Sequence, residues 1–244
     1  PNNLRWLKGE SPWVNALRVI SFLKEAVLYF QKNQEKTMAN KIKTVIWDMG
    51  GVILRSEDWS PRKELAARYG MTLESMHDFV FNSVSGKLAT LGKIEEEAHW
   101  GDIGGQLRIN SESLREFREH FWAGDSLDHE LSDFIRKLKP NYTTALLSNA
   151  WTNARNVLTK SKPCIDAFHV AVFSCEVGLA KPDPAIYNLI LRLCSSEPEE
   201  AIFVDDFVEN IEAANKLGIH GILFKNADQA MTDVTALING SGAG

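Results

Sequence analysis

Short apolar segments alternate with helical patterns through the second half of the chain, and this alternation constrains the fold more than any other feature. Strands that are apolar throughout and separated by helices are typical of a parallel sheet covered on both faces. We therefore predict an α/β fold built on a doubly wound parallel sheet. The predicted strands are Lys41–Trp47, Tyr142–Leu147, His169–Phe173, Ala201–Val204 and His220–Phe224.

A long helical insertion separates the first predicted strand from the second. Residues 56–127 contain no convincing strand, and an insertion of this length far exceeds a normal crossover. We predict that it forms a small helical cap domain, with residues 38–55 and 128–244 as the α/β core; helices that simply pack on the sheet are the alternative. The helical patterns in the insertion are Pro61–Tyr69, Leu73–Val84, Ile94–Gln106 and Ser113–Trp122.

Residues 1–37 differ from the rest of the chain in charge and in pattern. They carry six Lys and Arg against three Asp and Glu, a net charge of +3. Because the whole chain has a net charge of −5, residues 38–244 carry −8. Charged residues interrupt the apolar stretch 12–30, which favours one amphipathic helix over a membrane span or a signal peptide. We interpret residues 1–37 as an N-terminal extension or leader before Met38; a genuine helix that packs on the domain is the alternative.

Charge, hydropathy and cysteine usage limit the partners. Because residues 38–244 are acidic, we expect no nucleic acid partner. The chain has no uninterrupted apolar stretch of about 20 residues, so we expect no membrane partner. Cys164, Cys175 and Cys194 show no CxxC spacing, which fits a reducing, cytoplasmic location. The sequence leaves open whether the protein is a monomer or a homodimer.

Polar residues occur at the carboxyl ends of the predicted strands in a fixed order. Asp and Ser are common at such positions, so each motif is weak alone, but ligands of parallel sheets bind at this edge. The glycines of the first motif allow a sharp turn and a close approach to a ligand. The candidate residues are Asp48, Gly50 and Gly51, then Ser148 and Asn149, then Lys181, then Asp205 and Asp206.

This set of residue types suits phosphoryl transfer. Asp48 can attack phosphorus as a nucleophile, which splits hydrolysis into two displacements through an aspartyl-phosphate. Asp48 and Asp206 offer hard oxygen ligands for Mg²⁺, and that ion offsets the repulsion between a carboxylate and a phosphate dianion. Lys181 would hold the phosphoryl oxygens, with Ser148 and Asn149 as hydrogen-bond donors to the transferring group.

The ordered set resembles the four motifs of the haloacid dehalogenase-like (HAD) hydrolase superfamily over about residues 42–224. The resemblance implies a Rossmann-like core of subfamily IA with a C1-type helical cap, Mg²⁺ as cofactor, and a small phosphorylated metabolite as substrate. The segment Gly92–Trp100, GKIEEEAHW, also resembles the branch that contains bacterial glucose-1-phosphate phosphatase and epoxide hydrolase N-terminal domains.

The resemblance also implies a role for each candidate residue. Asp48 matches the nucleophile, and Lys181 the cation that binds the phosphoryl group. Asp206 matches a direct magnesium ligand, and Asp205 a neighbouring or water-mediated one. The residues implied to bind substrate are Ser148, Asn149, Lys181 and Gly51.

Gly50 departs from the pattern of the family's phosphatases, which usually carry an acid/base Asp two residues after the nucleophile. Its backbone carbonyl can still ligate magnesium, but the missing proton transfer would cost about 10²–10⁴-fold in rate. Two alternatives therefore stay open: a dehalogenase-like C–X hydrolase, and a catalytically weak phosphate-ester-binding or regulatory domain. His77 or His99 of the insertion is a conceivable substitute acid/base, although such histidines more often serve packing.

Overall fold

The computed structural model describes residue 24 and residues 42–240. Lys24 is helical and exposed, but the helix expected over residues 12–30 and the proposed leader lie outside the described residues. Within residues 42–240, no helix has the length and apolar character needed to cross a bilayer.

The strands form one five-stranded parallel sheet and one two-stranded antiparallel sheet. The strands are β1 Thr44–Trp47, β2 Leu54–Ser56, β3 Asp125–Leu127, β4 Thr143–Ser148, β5 Val170–Phe173, β6 Ala201–Asp205 and β7 His220–Leu223. The parallel sheet has the order β5-β4-β1-β6-β7. Trp47 pairs with Leu146 on one side and with Val204 on the other, so β1 is central. The predicted parallel sheet is confirmed, and its strand order reverses at β1, where ligand crevices form in such sheets.

Helices connect the strands. They are α1 Ser60–Arg68, α2 Leu73–Phe81, α3 Val84–Thr90, α4 Glu96–Leu107, α5 Ser111–Trp122, α6 His129–Leu138, α7 Pro184–Cys194, α8 Val208–Lys216 and α9 Ala227–Ile238. Shorter helical segments are Ala154–Asn156, the π-helical Val157–Ser161, the 3₁₀ Ile165–Ala167, Ser174–Val177 and the 3₁₀ Pro198–Glu200.

Each face of the parallel sheet contributes to a separate apolar cluster. Val45 and Trp47 of β1 pack into one cluster, while Ile46 between them packs into the other. Side chains alternate between the faces of a strand, so a strand that is apolar at every position must be covered on both sides. The doubly wound arrangement follows from that pattern.

Helices α1 to α5, which we call the helical insertion (residues 60–122), surround a third apolar cluster. The helix predicted over Leu73–Val84 ends at Phe81, and α3 is a separate helix that the sequence did not predict. The Ser83 hydroxyl accepts a hydrogen bond from the Gly86 N–H as the N-cap of α3. A Ser that caps the backbone in this way starts a new helix. The division into cap residues 56–127 and core stays a prediction.

The expectation that residues 56–127 contain no strand was wrong. Leu54 pairs with Leu127 and Ser56 with Asp125, so β2 and β3 form a two-stranded antiparallel sheet, with one strand before the helical insertion and one after it. Both strands have three residues and are half-buried throughout. Such short strands have no alternation of apolar and polar residues, which is the signal that sequence reasoning detects.

Candidate active site

Asp48 and Lys181 meet at the carboxyl end of the central strand. Asp48 follows β1 directly, and its backbone N–H donates to the Val204 carbonyl at 2.9 Å. The Lys181 Nζ lies 2.7 Å from Asp48 Oδ1 and 2.6 Å from Asp205 Oδ2. All three charged side chains are buried. The ammonium group therefore links the ends of β1 and β6.

Both oxygens of Asp205 are occupied by protein donors. Oδ1 accepts from the Phe207 N–H at 2.8 Å and from Asn210 Nδ2 at 3.0 Å. Oδ2 accepts from Lys181 and, at 3.1 Å, from Asn210 Nδ2. The Tyr187 hydroxyl donates to the Asn210 carbonyl at 2.9 Å, which holds the start of α8 against α7. This network holds Asp205 in one orientation.

Asp206 has a free buried oxygen. Its Oδ1 is buried and has no hydrogen-bond partner among residues 42–240. Gly51 lies against the same carboxylate, because a Cβ at Gly51 would be 2.0 Å from Asp206 Oδ2, and its φ of +78° favours glycine. The Gly51 N–H donates to the Leu54 carbonyl at 2.8 Å. Gly50 is exposed, and a Cβ there would meet no atom within 4 Å.

Ser148 and Asn149 lie at the same sheet edge, at the end of β4. Ser148 is its last residue and is buried. The Asn149 amide is bonded to the backbone of Lys181: Nδ2 donates to the Lys181 carbonyl, and Oδ1 accepts from the Lys181 N–H, both at 2.8 Å. The role of Asn149 as a donor to the substrate stays a prediction; in the structure these two bonds connect its side chain to Lys181.

The charges of the site are not balanced, because three carboxylates surround one ammonium group. Burial raises the pKa of Asp48 to about 7, against the opposing charge of Lys181. Burial and the charge of Asp205 raise the pKa of Asp206 to about 6. Burial alone lowers the pKa of Lys181, but the carboxylates of Asp48 and Asp205 outweigh it, so this pKa is raised. The site thus favours additional positive charge.

The carboxylate cluster fits a divalent cation. One oxygen each from Asp48, Asp205 and Asp206 lies within 4.8 Å of the others. The Oδ1 of Asp206 offers a ligand that no group in the described part of the chain uses. Hard carboxylate oxygens are the ligands that Mg²⁺ prefers, and a dication would offset the excess negative charge.

The two histidines considered as acid/base groups pack among aromatic rings. His99 is fully buried, with its ring centroid 4.4 Å from that of Trp151. His77 lies on Phe81, with ring centroids 4.5 Å apart. Burial lowers the pKa of both histidines. These surroundings favour a packing role for both.

Sequence reasoning missed the supporting roles of Asn210 and Tyr187. Asn210 lies four residues after Asp206 and is not among the candidate residues that the sequence predicts. Its amide donates to both oxygens of Asp205, which a second carboxylate could not do without repulsion. Tyr187 is buried on α7, within an apolar helix, and no sequence pattern marks its hydroxyl as part of the site.

Two named relatives match this chain to very different extents. The D-ribitol-5-phosphate phosphatase of Bacteroides thetaiotaomicron is 26% identical over 213 residues, which is 81% of this chain and 99% of that protein. The bifunctional epoxide hydrolase 2 of Rattus norvegicus is 30% identical over 127 residues, which is 50% of this chain and 23% of that protein. The chain therefore spans less than a quarter of that relative.

Solved structures share the fold. A HAD family enzyme from Bacteroides thetaiotaomicron, solved in complex with magnesium and inorganic phosphate, superposes with a TM-score of 0.65 at 22% identity over 75% of this chain and 94% of that one. At this identity the likeness shows the fold alone.

The family model described as haloacid dehalogenase-like hydrolase matches residues 42–218, well over half of the chain. This match confirms the family resemblance that the four ordered motifs indicated. The chain is a hydrolase of the haloacid dehalogenase-like family.

Proposed function

We propose that this chain is a Mg²⁺-dependent hydrolase of small phosphomonoesters, sugar phosphates among them, that works through an aspartyl-phosphate. The observation that carries the proposal is the cluster of buried Asp48 and Asp205 with half-buried Asp206, in which Lys181 bridges Asp48 and Asp205. The likeness to D-ribitol-5-phosphate phosphatase over most of both chains supports a phosphorylated small metabolite as substrate.

In this proposal Asp48 performs the covalent step. Its Oδ1 is held by Lys181, so Oδ2 would attack phosphorus as the bond to the leaving alcohol breaks. Water then attacks the same phosphorus, which releases phosphate and regenerates the Asp48 carboxylate. Lys181 would also attract the phosphoryl oxygens, and the Ser148 hydroxyl would donate to them.

Asp48, Asp206 and the Gly50 carbonyl would hold the magnesium ion. When bound, Mg²⁺ supplies positive charge that offsets the repulsion between the carboxylates and the phosphate ester. Asp205 has both oxygens in hydrogen bonds, so we propose that it organises the site and contacts the ion at most through water. Gly51 allows the turn to approach Asp206, and residues 56–127 would cap the crevice.

Gly50 leaves the proton for the leaving alcohol to solvent. A Cβ there would meet no atom within 4 Å, so Gly50→Asp can be accommodated and would supply the missing acid/base. A rate gain of about 10²–10⁴-fold in this variant is expected if proton transfer limits the reaction. Tight binding of phosphate esters by the natural chain without turnover would instead favour the phosphate-ester-binding or regulatory alternative.

The decisive experiment is phosphate release from a panel of small phosphate esters, with and without Mg²⁺. We expect magnesium-dependent turnover by the natural chain and none by Asp48→Asn, which keeps the size of the side chain but loses its charge. Equal rates for the two proteins would refute the proposal. Chloride release from 2-chloro acids without added metal would favour the dehalogenase alternative.

The proposed location is the cytoplasm. Cys164, Cys175 and Cys194 are all free, and two of them are buried. Free thiols persist in a reducing compartment. Sizing of the purified protein separates monomer from homodimer.

A further inference from the structure

The segment Gly92–Trp100, which the proposed chemistry does not use, contacts the loop that follows β4. We call residues 150–153 the β4 loop. The Glu96 carboxylate is buried at the start of α4 and accepts from the Asn153 N–H at 3.2 Å through Oε2. In return, the Glu96 N–H donates to Thr152 Oγ1 at 3.2 Å. Two reciprocal bonds therefore join this residue to the β4 loop.

The other oxygen of Glu96 is held within the helical insertion. Oε1 accepts from Trp100 Nε1 at 3.0 Å, and an Arg118 guanidinium nitrogen lies 3.5 Å away. Both oxygens of this carboxylate thus have partners, one in the insertion and one in the β4 loop. A buried carboxylate with its partners satisfied holds its neighbours in one geometry.

Trp151 adds a second contact between the β4 loop and the helical insertion. Its Nε1 donates to the Gly86 carbonyl and to Thr90 Oγ1, both at 3.2 Å. Its ring lies among aromatic rings of the insertion, 4.4 Å from His99 and 5.7 Å from Trp100 between centroids. His99 and Trp100 belong to the same segment as Glu96, so three of the nine residues of Gly92–Trp100 contact this loop.

The β4 loop begins next to the residue that holds Lys181. Asn149 precedes Ala150 and forms both of its side-chain bonds with the Lys181 backbone. Lys181 in turn bridges Asp48 and Asp205. Packed, bonded and hydrogen-bonded groups therefore connect the helical insertion continuously to Asp48.

We propose that Glu96 is a positioning residue: it fixes the β4 loop, and through Asn149 it holds Lys181 in place against Asp48. The residue touches neither the reacting carboxylate nor the ammonium group, so its effect passes through backbone placement. The catalytic part of the inference rests on the proposed function, whereas the structural part does not.

Hydrogen exchange followed by mass spectrometry tests the structural part without substrate. In Glu96→Ala we expect the Asn153 and Lys181 N–H groups to exchange at least about tenfold faster than in the natural chain, because loss of a hydrogen bond to a charged group weakens the local structure. Glu96→Gln keeps one acceptor oxygen and is expected to fall between. The matched control is Glu97→Ala, whose side chain is 76% exposed and pairs with Arg118.

In the kinetic part of the test, Glu96→Ala should lower kcat by about tenfold or more and leave KM nearly unchanged, because Lys181 acts on the transferring group. Glu96→Gln should recover part of this loss. Unchanged exchange at the Asn153 N–H would overturn the inference. The inference would also be overturned if exchange at Asn153 became faster while exchange at Lys181 and kcat stayed unchanged. If the natural chain releases no phosphate from any ester, the proposed function fails, but the exchange at Lys181 still decides whether Glu96 positions it.

Discussion

Replacing Gly51 by Ala should weaken magnesium binding, because the new methyl group would occupy the place of the Asp206 carboxylate. The Cβ would lie 2.0 Å from Oδ2 and 2.5 Å from Cγ of Asp206, whereas ordinary contacts begin at 3.4 Å. Asp206 or the turn must therefore shift by about 1.4 Å, the difference between 3.4 and 2.0 Å. The φ of +78° adds a backbone cost of about 1–2 kcal/mol for a residue with a Cβ.

The expected loss of Mg²⁺ affinity in Gly51→Ala is about 10–100-fold, the range typical for disturbing the support of a metal ligand. Isothermal titration calorimetry on protein stripped with a chelator measures it. Gly50→Ala is the matched control in the same turn, since its Cβ meets no atom within 4 Å, and it should bind Mg²⁺ as the natural chain does. Equal affinities in the two variants would refute the placement of Asp206 in the metal site, even if Gly51→Ala were less stable.

Three further predictions concern groups around the site. Lys181→Met should lower the free energy of unfolding by about 3–5 kcal/mol in urea denaturation, because it leaves two buried carboxylates without their cation; an unchanged midpoint would contradict this ion-pair geometry. Asn149→Ala should lower kcat more than it raises KM, because the two bonds to the Lys181 backbone are lost, and a change confined to KM would instead indicate direct substrate binding. Burial lowers the pKa of His99, so near pH 6.5 the unfolded chain binds a proton that the folded chain does not. The free energy of unfolding should therefore fall as the pH drops below about 6.5. Urea denaturation at pH 7.5 and 5.5 should show a smaller loss in His99→Asn, and equal losses would show that His99 is not buried in its neutral form.

The sheet could be predicted from the sequence because its strands are continuous apolar runs that end in polar residues. Asp48, Ser148 and Asp205 lie at or next to the ends of three of these runs, so their approach follows from parallel pairing. The antiparallel pairing of β2 with β3 could not be predicted, because three half-buried residues in each strand show no periodic pattern.

The supporting groups of the site depend on distances that a single sequence does not contain. The sequence does not show that the Asn149 amide is bonded to the backbone of a residue 32 positions away. Asn210 shows its supporting role only in the structure, where its amide donates to Asp205. Glu96 stands among three adjacent glutamates, and burial alone separates it from its exposed neighbour Glu97.

The central claim is that Asp48 carries the phosphoryl group during turnover. Rapid acid quenching of the magnesium-loaded protein during hydrolysis of its best phosphate ester, followed by peptide mass spectrometry, tests this claim most directly. We predict one added phosphoryl group on the peptide that contains Asp48, and neither this mass nor phosphate release in Asp48→Asn. A phosphoryl group on another residue, or phosphate release by Asp48→Asn at the rate of the natural chain, would contradict the account.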